Sequence, residues 1–303
     1  MMESSIAKAS DMGLRFDNVL AGAANITRSQ AKILIDQGIA KVNGKSVKVN
    51  QKILADDKIT WVLKAFPGEV PLAEDIRINI LYEDDYILAV NKPANLVVHP
   101  GAGNSTGTLL NGLLFYDEVF SHVERSGIVH ILDKDTSGVI IVAKNNQIKD
   151  ALQNQFKNRL VSKSYLSLVY GIPINNLRIE NNIGRHKVNR KKQSVLKDGG
   201  KKAISIIKIQ EKFKNSSLVR INIMTGRTHQ IRVHLAHIGH PILGDTLYGR
   251  NKSDFIGKEL IKRQMLHAQS LNILHPITNK DLLLEAPIPN DINIVIQNQR
   301  ELV

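Results

Sequence analysis

From Arg77 onward the apolar residues of this chain fall into short runs of strand length, broken by polar turns and by occasional helical stretches. INILYEDDYILAVNKP reads as two strands around an acidic turn, with Asn91-Lys92-Pro93 closing the second. Val139 to Val142 is short and β-branched and reads as a buried strand. SKSYLSLVYG alternates as a strand with Tyr165 inside it, and LVRINIM, 218 to 224, is another. NNQIKDALQNQFKNRL, 145 to 160, spaces Ile148, Leu152, Phe156 and Leu160 as one face of a helix. So many strands with so few helices predict an α+β domain over residues 77–300, built on an extended mixed, mostly antiparallel sheet.

Residues 12–70 read as a separate small unit. Thr27 and Gln30 have capping-box spacing and mark a helix start. Ala31, Leu34 and Ile35 supply its apolar stripe, and Gly38 is placed to end it. IAKV, Asn43-Gly44 and KSVKV then predict a hairpin, because Asn-Gly accepts the positive φ angles of a tight turn. AFPGEVPLAED, 65 to 75, with two prolines and a glycine, reads as the linker.

Composition narrows the partners. The formal net charge is +13, which favours a polyanion such as nucleic acid. The charge is uneven: RHKVNRKKQSVLKDGGKK, 185 to 202, holds eight Lys or Arg against one acid, Asp198. Arg28 and Lys32, four apart, share one helix face and could both reach a phosphate backbone. The absence of cysteine excludes disulfides and thiolate metal sites. The first residues hold no apolar signal core, and no run reaches membrane-spanning length, so a cytoplasmic protein with no membrane contact is expected.

Several familiar chemistries lack their residues. HPGAGNSTGT has the wrong glycine spacing for a dinucleotide loop, and no Walker lysine follows. His234, His237 and His240 lack the carboxylate of a metalloprotease helix. No G-x-S-x-G elbow supports a hydrolase triad. What remains centres on LDKDTSG, where Asp133, Asp135, a lysine and two hydroxyls stand directly against a core strand. Such residues make tight turns; they could equally hold a reacting carboxylate on a rigid element. Asp133 after a strand, Tyr165 within one, Arg232 in HQIRVH and a basic surface form the candidate constellation.

GIVHILDKDTSG, SYLSLVYG, TGRTHQIRVHLAHIGHPILGD and QMLHAQSL resemble, in order, the motifs of the RluA family of pseudouridine synthases. VVHPGAGNSTGTLLNGLL and IGRHKVNRKK make the RluD type the nearest match, and LRFDNVL, ITRSQAKILIDQG and VNGK resemble an S4 RNA-binding domain. The resemblance implies an enzyme that isomerises uridines of large-subunit ribosomal RNA after flipping the base, as a monomer and without metal or redox cofactor. Asp133 would be the essential carboxylate, either attacking the sugar or acting there first as a base. Arg232 would keep it charged, since a buried carboxylate otherwise takes up a proton. Tyr165 would stack on the uracil and serve in the later proton transfer, Leu266 would line the pocket, and Asp135 would belong to the supporting loop. Arg15, Arg28, Lys32 and Lys45 would contact RNA from the small unit, and Arg185, Arg190, Lys191 and Lys192 from the large one.

One position departs from the motif. The family reads H-R-L-D where this chain has His130, Ile131, Leu132 and Asp133. In relatives the arginine inserts into the RNA near the flipped nucleotide. Isoleucine keeps bulk but loses charge and hydrogen bonds, which leaves a catalytically weak or inactive rRNA-binding assembly factor as the alternative function. A nucleoside hydrolase fits poorly, because an RNA clamp is wasted on a small substrate.

Overall fold

The computed structural model describes residues 2–24, 26, 28–62, 71–101, 104–249 and 257–302. The chain divides into two compact units, Met1–Val70 and Pro71–Val303. Among the described residues no helix is long and apolar enough to cross a membrane.

The first unit contains β1 (Met2–Ile6), α1 (Phe16–Ala24), α2 (Arg28–Asp36), β2 (Lys41–Val42) and β3 (Lys58–Val62), with the three strands antiparallel in the order β1-β3-β2. It starts before residue 12: MESSI is too polar to signal a strand, yet its backbone pairs with β3 and Glu3 accepts the Trp61 indole N–H at 3.0 Å. Ala31, Leu34 and Ile35 are buried against Phe16, Leu20 and Ile59, as the helical spacing predicts. Gly38 follows α2 at φ 69°. Thr27, the predicted cap, and residues 65–70 of the predicted linker lie outside the described residues.

The predicted hairpin forms only in part. Asn43 and Gly44 take positive φ, 49° and 76°, and Val42 and Lys45 exchange both backbone hydrogen bonds, at 2.9 and 3.0 Å. KSVKV does not continue as a strand, and β2 pairs with β3 instead. The carbonyls of Val49 and Gln51 take the N–H groups of Asp17 and Phe16 in the first turn of α1, so this arm is spent on a helix start.

The second unit contains β4 (Ile80–Glu83), β5 (Ile87–Lys92), α3 (Leu109–Tyr116), β6 (Ser137–Ala143), α4 (Asn146–Lys157), β7 (Ser162–Tyr170), β8 (Leu177–Arg185), β9 (Gln193–Leu196), β10 (Lys201–Lys212), β11 (Ser216–Ile223), α5 (Gln230–His237), β12 (Leu266–Leu274), β13 (Asp281–Glu285) and α6 (Asn290–Glu301). Its strands form one sheet in the order β4-β5-β6-β12-β7-β11-β10-β8-β9, with β13 added on β12. Among the described strands only the β6–β12 pair is parallel. The mixed, mostly antiparallel sheet matches the expectation.

β5 and β6 are buried on both faces, which explains their continuous apolar runs. Leu88, Val90, Ile140 and Val142 join the cluster that α3, α5 and α6 cover, while Ile87, Ala89, Val139 and Ile141 join the one that α4 covers. α4 stops at Lys157, short of Leu160. Arg159 turns left-handed at φ 61°, Leu160 N–H reaches the Gln155 carbonyl at 3.0 Å, and the Leu160 side chain is exposed. The helical stripe therefore ends at Phe156.

LDKDTSG makes a turn into β6: Thr136 N–H donates to the Asp133 carbonyl at 3.0 Å. No strand precedes Asp133, contrary to expectation; Ile128 makes one bridge to Val142, and residues 129–133 then run free of any ladder. Gly138 and Lys92 are among the groups that hold this loop. Gly138, at φ 119°, lies so close to β12 that a Cβ there would stand 2.1 Å from the Ala268 carbonyl oxygen. Lys92, at the end of β5, buries its ammonium among the carbonyls of Pro93, Leu96 and Lys134, at 2.7, 2.9 and 3.0 Å. Three acceptors match the three N–H groups of the charged form. Burial pushes the Lys92 pKa down to about 7, with Arg263 adding to the fall and Asp135 and Asp133 opposing it.

Two measurements check these anchors. Gly138→Ala must part β6 from β12, and we expect it to cost about 3 kcal/mol or more in thermal unfolding. Gly199→Ala, at φ 76° with open space around it, should cost about 1 kcal/mol; equal losses would remove the close-approach argument. For Lys92, an unfolded chain keeps the ordinary lysine pKa and holds the proton longer as pH rises. Stability should therefore climb between pH about 7 and 10 in the wild type relative to Lys92→Met. Parallel stability curves for the two would contradict a depressed pKa.

Candidate active site

The site is built where the loop before β6 faces the start of α5. Arg232 is buried on α5, and its guanidinium is shared between two carboxylates. Nε and Nη2 donate in parallel to Asp245, at 2.7 and 3.0 Å, while Nη1 donates to Asp133 Oδ2 at 2.9 Å. The Asp245 side chain is fully buried, and Oδ1 also accepts the N–H groups of Leu247 and Tyr248, each at 2.9 Å. Asp133 keeps 25% of its side chain exposed, so one carboxylate is sealed and the other faces the cavity.

Burial by itself would lower the Arg232 pKa; the bond and charge of Asp245, then Asp133, outweigh it and hold arginine above its usual value. Burial would likewise raise Asp245, and Arg232 overcomes it, so the carboxyl titrates below the usual range. Removing one partner of a buried pair strands the other charge, at a cost of about 3–5 kcal/mol.

Local sequence sets the start of α5. His229 takes the left-handed conformation, φ 56° and ψ 19°, at the residue before the helix. Gln230 then ties the turn to β10: its amide donates to the Ile204 carbonyl and the Ser205 hydroxyl, and its oxygen accepts from Thr225 and from the Arg227 N–H. A non-glycine residue held in this region costs about 1–3 kcal/mol and persists only where its surroundings fix it. His229 Nε2 lies 3.9 Å from Asp133 Oδ2, and its Nδ1 lies 2.8 Å from the Tyr248 hydroxyl.

A cavity of about 420 Å³ opens over Asp133, and Tyr165, Leu266, Ile131 and Arg232 all line it. Tyr165 projects from β7, where it pairs with Ile221 and Ala268, and is buried; burial and then the Asp133 charge raise its pKa. Leu266, at the start of β12, closes the apolar wall. Ile131 is 62% exposed, an apolar side chain standing in solvent beside the opening. His130 points inward: its Nε2 accepts the Ile141 N–H at 3.1 Å, its ring packs on Phe156 at 4.9 Å, and burial, then Lys163, pushes its pKa down to about 3. It is neutral at physiological pH.

The predicted RNA contacts fall in two places. In the first unit, Arg15 and Arg28 both clasp the buried Asp17, at 3.0 and 2.8 Å, and they line a shallow depression with Lys32. Lys45 is exposed. In the second unit, Arg185, Arg190 and Lys191 are exposed along the β8–β9 hairpin. Lys192 is half-buried, with its ammonium 5.8 Å from the centre of the Tyr248 ring. The structure thus brings Asp133, Tyr165, Arg232, Leu266 and Ile131 to one cavity. The three histidines at 234, 237 and 240 do not converge: His234 bonds the Ser205 hydroxyl, His240 the Tyr170 carbonyl, and His237 is exposed.

Sequence reasoning missed Asp245, His229 and Tyr248. HPILGD and TGRTHQIR were in view, but nothing local says that residue 245 would grip residue 232. A carboxylate in an apolar stretch, ILGD, was the available signal, since a buried acid requires a partner.

Residues 86–237 match the family model described as RNA pseudouridylate synthase. The chain is 39% identical to ribosomal large subunit pseudouridine synthase D of Xanthomonas campestris pv. campestris, over 99% of this chain and 94% of that protein. It is 41% identical to an uncharacterized RNA pseudouridine synthase, YlyB, of Bacillus subtilis, over 95% and 94%. Among solved structures, human RNA pseudouridylate synthase domain containing 1 superposes with a TM-score of 0.58 at 25% identity, covering 75% of this chain and 96% of that one. With relatives this similar over nearly their whole length, the chain belongs to the RNA pseudouridylate synthase family and is an isomerase acting on RNA.

Proposed function

We propose that this enzyme converts uridines of large-subunit ribosomal RNA to pseudouridine, with Asp133 as the reacting carboxylate. One observation carries the assignment of Asp133: it faces the cavity while a sealed Arg232–Asp245 pair holds one of its oxygens. The choice of RNA rests on the relatives named as large-subunit enzymes. The reaction breaks N1–C1′, turns the uracil and joins C5 to C1′; C5 gives up its hydrogen as a proton and N1 takes one, so nothing is oxidised or consumed. Asp133 either adds to the sugar and is later released, or removes a sugar proton and returns it. Tyr165 forms the wall on which the uracil stacks, and Leu266 excludes water beside it.

The target base must leave its stack, at a cost of a few kcal/mol. Phosphate contacts offset that cost. The first unit, Met1–Val70, acts as an S4-like RNA clamp, supported by two helices on a small sheet and by Arg15, Arg28 and Lys32 around one depression. Residues 77–300 form the catalytic domain. Arg185, Arg190, Lys191 and Lys192 add a second basic surface, and a monomer in the cytoplasm is the working form.

A second reading draws on Ile131, whose exposed side chain brings no charge to the mouth of the cavity. On that reading the protein binds ribosomal RNA and turns over weakly or not at all. An unmodified transcript of large-subunit rRNA carrying tritium at uridine C5 separates the two, since isomerisation releases that hydrogen. Wild type should release tritium, and Asp133→Asn should release none while binding the transcript as tightly. Binding without release by wild type would favour the assembly-factor reading, and Asp133→Asn at a tenth of wild-type rate or more would remove Asp133 from its role.

A further inference from the structure

Among the described residues, the Tyr248 side chain reaches the basic hairpin, His229 and Arg232 together. It follows Asp245 in a tight turn, where its own N–H donates to Asp245 Oδ1 at 2.9 Å. Its hydroxyl oxygen accepts the backbone N–H of Gln193, at the start of β9, at 2.7 Å. Its ring lies 5.8 Å from the Lys192 ammonium and 5.1 Å from the Arg232 guanidinium carbon. His229 meets the same ring edge-on, at 5.6 Å and 79°. A tyrosine ring attracts cations near its face, so the one aromatic group draws both the hairpin lysine and the guanidinium.

The hydroxyl can also set the His229 tautomer. With the Gln193 N–H on its oxygen, it has its own hydrogen to give to His229 Nδ1, 2.8 Å away. A neutral imidazole accepting there would carry its hydrogen on Nε2, the nitrogen that faces Asp133 Oδ2 at 3.9 Å. The hairpin beyond Gln193 is strongly basic, and its tip is open to solvent: Val188 is 87% exposed, and Lys187, Arg190 and Lys191 stand free of the sheet.

We propose that Tyr248 is a positioning residue that couples RNA engagement by the β8–β9 hairpin to the orientation of Asp133, through His229 and Arg232. This rests on the assignment of Asp133 as the reacting carboxylate. RNA drawn onto Arg190 and Lys191 settles the hairpin on Tyr248. Tyr248 in turn holds the His229 tautomer and the Arg232 plane against the carboxylate. Without that contact the pocket still binds RNA, but the carboxylate loses its alignment.

The test is a double-mutant cycle on the tritiated transcript, with single-turnover rate and half-saturating RNA concentration measured separately. Tyr248→Phe removes only the hydroxyl, and we expect the rate to fall about tenfold with half-saturation unchanged. Arg190→Ala with Lys191→Ala should weaken binding and also slow the saturated rate. In the Tyr248→Phe background the same pair should weaken binding equally and slow the rate no further. Rates that multiply across the cycle, or a Tyr248→Phe rate equal to wild type, would overturn the coupling. Asp133→Asn run alongside keeps the two claims apart: turnover by that variant sinks the assignment of Asp133, whereas an inert Asp133→Asn with multiplying rates sinks the coupling alone. Nitrogen-15 spectra of labelled histidine give a readout that misfolding would not mimic. His229 should show a protonated Nε2 and a bare Nδ1 in wild type, and a mixture in Tyr248→Phe; a wild-type Nδ1–H would also overturn the proposal.

Discussion

Asp245 and Arg232 face each other through two parallel hydrogen bonds in a place where neither charge could stand alone. Because Asp245 is sealed and also takes two backbone N–H groups, it cannot follow a moving arginine; arginine must come to it. The planar guanidinium then has one orientation, and its remaining nitrogen fixes where Asp133 can stand. Desolvation is what makes this arrangement stiff. In water each contact would be worth little, whereas at depth the loss of either partner leaves a bare charge. The fold spends a buried ion pair to aim a second, partly exposed carboxylate.

The sheet supplies the matching precision on the other side. Asp133 precedes β6, Leu266 opens β12, Tyr165 rises from β7, and these three strands are neighbours. The close approach of Gly138 to Ala268 sets the spacing of the first two, and Lys92 holds the loop from below. Residues far apart in sequence thus meet because strand order places them together, with no local element carrying more than one or two of them.

Much of this was legible in the residues. The β-branched run at Val139–Val142, the alternation around Tyr165 and the amphipathic spacing of 145–160 each follow from local periodicity, and each is an element, though the helix ends at Lys157, before Leu160. Arg232 beside Asp133 followed from family motif, not from spacing. Three kinds of feature stayed hidden. MESSI pairs through its backbone and shows no apolar alternation, so its strand has no sequence signal. KSVKV has the strand signal, but its carbonyls are taken by α1. Asp245, Tyr248 and Lys92 act through contacts across long stretches of chain, and a polar residue in an apolar segment announces only that some partner exists. Ile131 is different again: the departure from motif was plain, and its exposure at the cavity mouth gives it a place without giving it a role.

Asp245 aims Arg232, and Arg232 aims Asp133. Asp245→Asn keeps the shape and the Leu247 and Tyr248 acceptor while removing the charge that fixes the guanidinium. The most direct measurement is its single-turnover rate at saturating unmodified large-subunit rRNA transcript, with RNA affinity read beside it. A fall of about tenfold to a hundredfold at unchanged affinity is the expected result, the size of loss that follows when a reacting group drifts by about 1 Å. A variant that is folded, binds RNA and isomerises it at the wild-type rate would contradict the claim that this buried pair positions the reacting carboxylate.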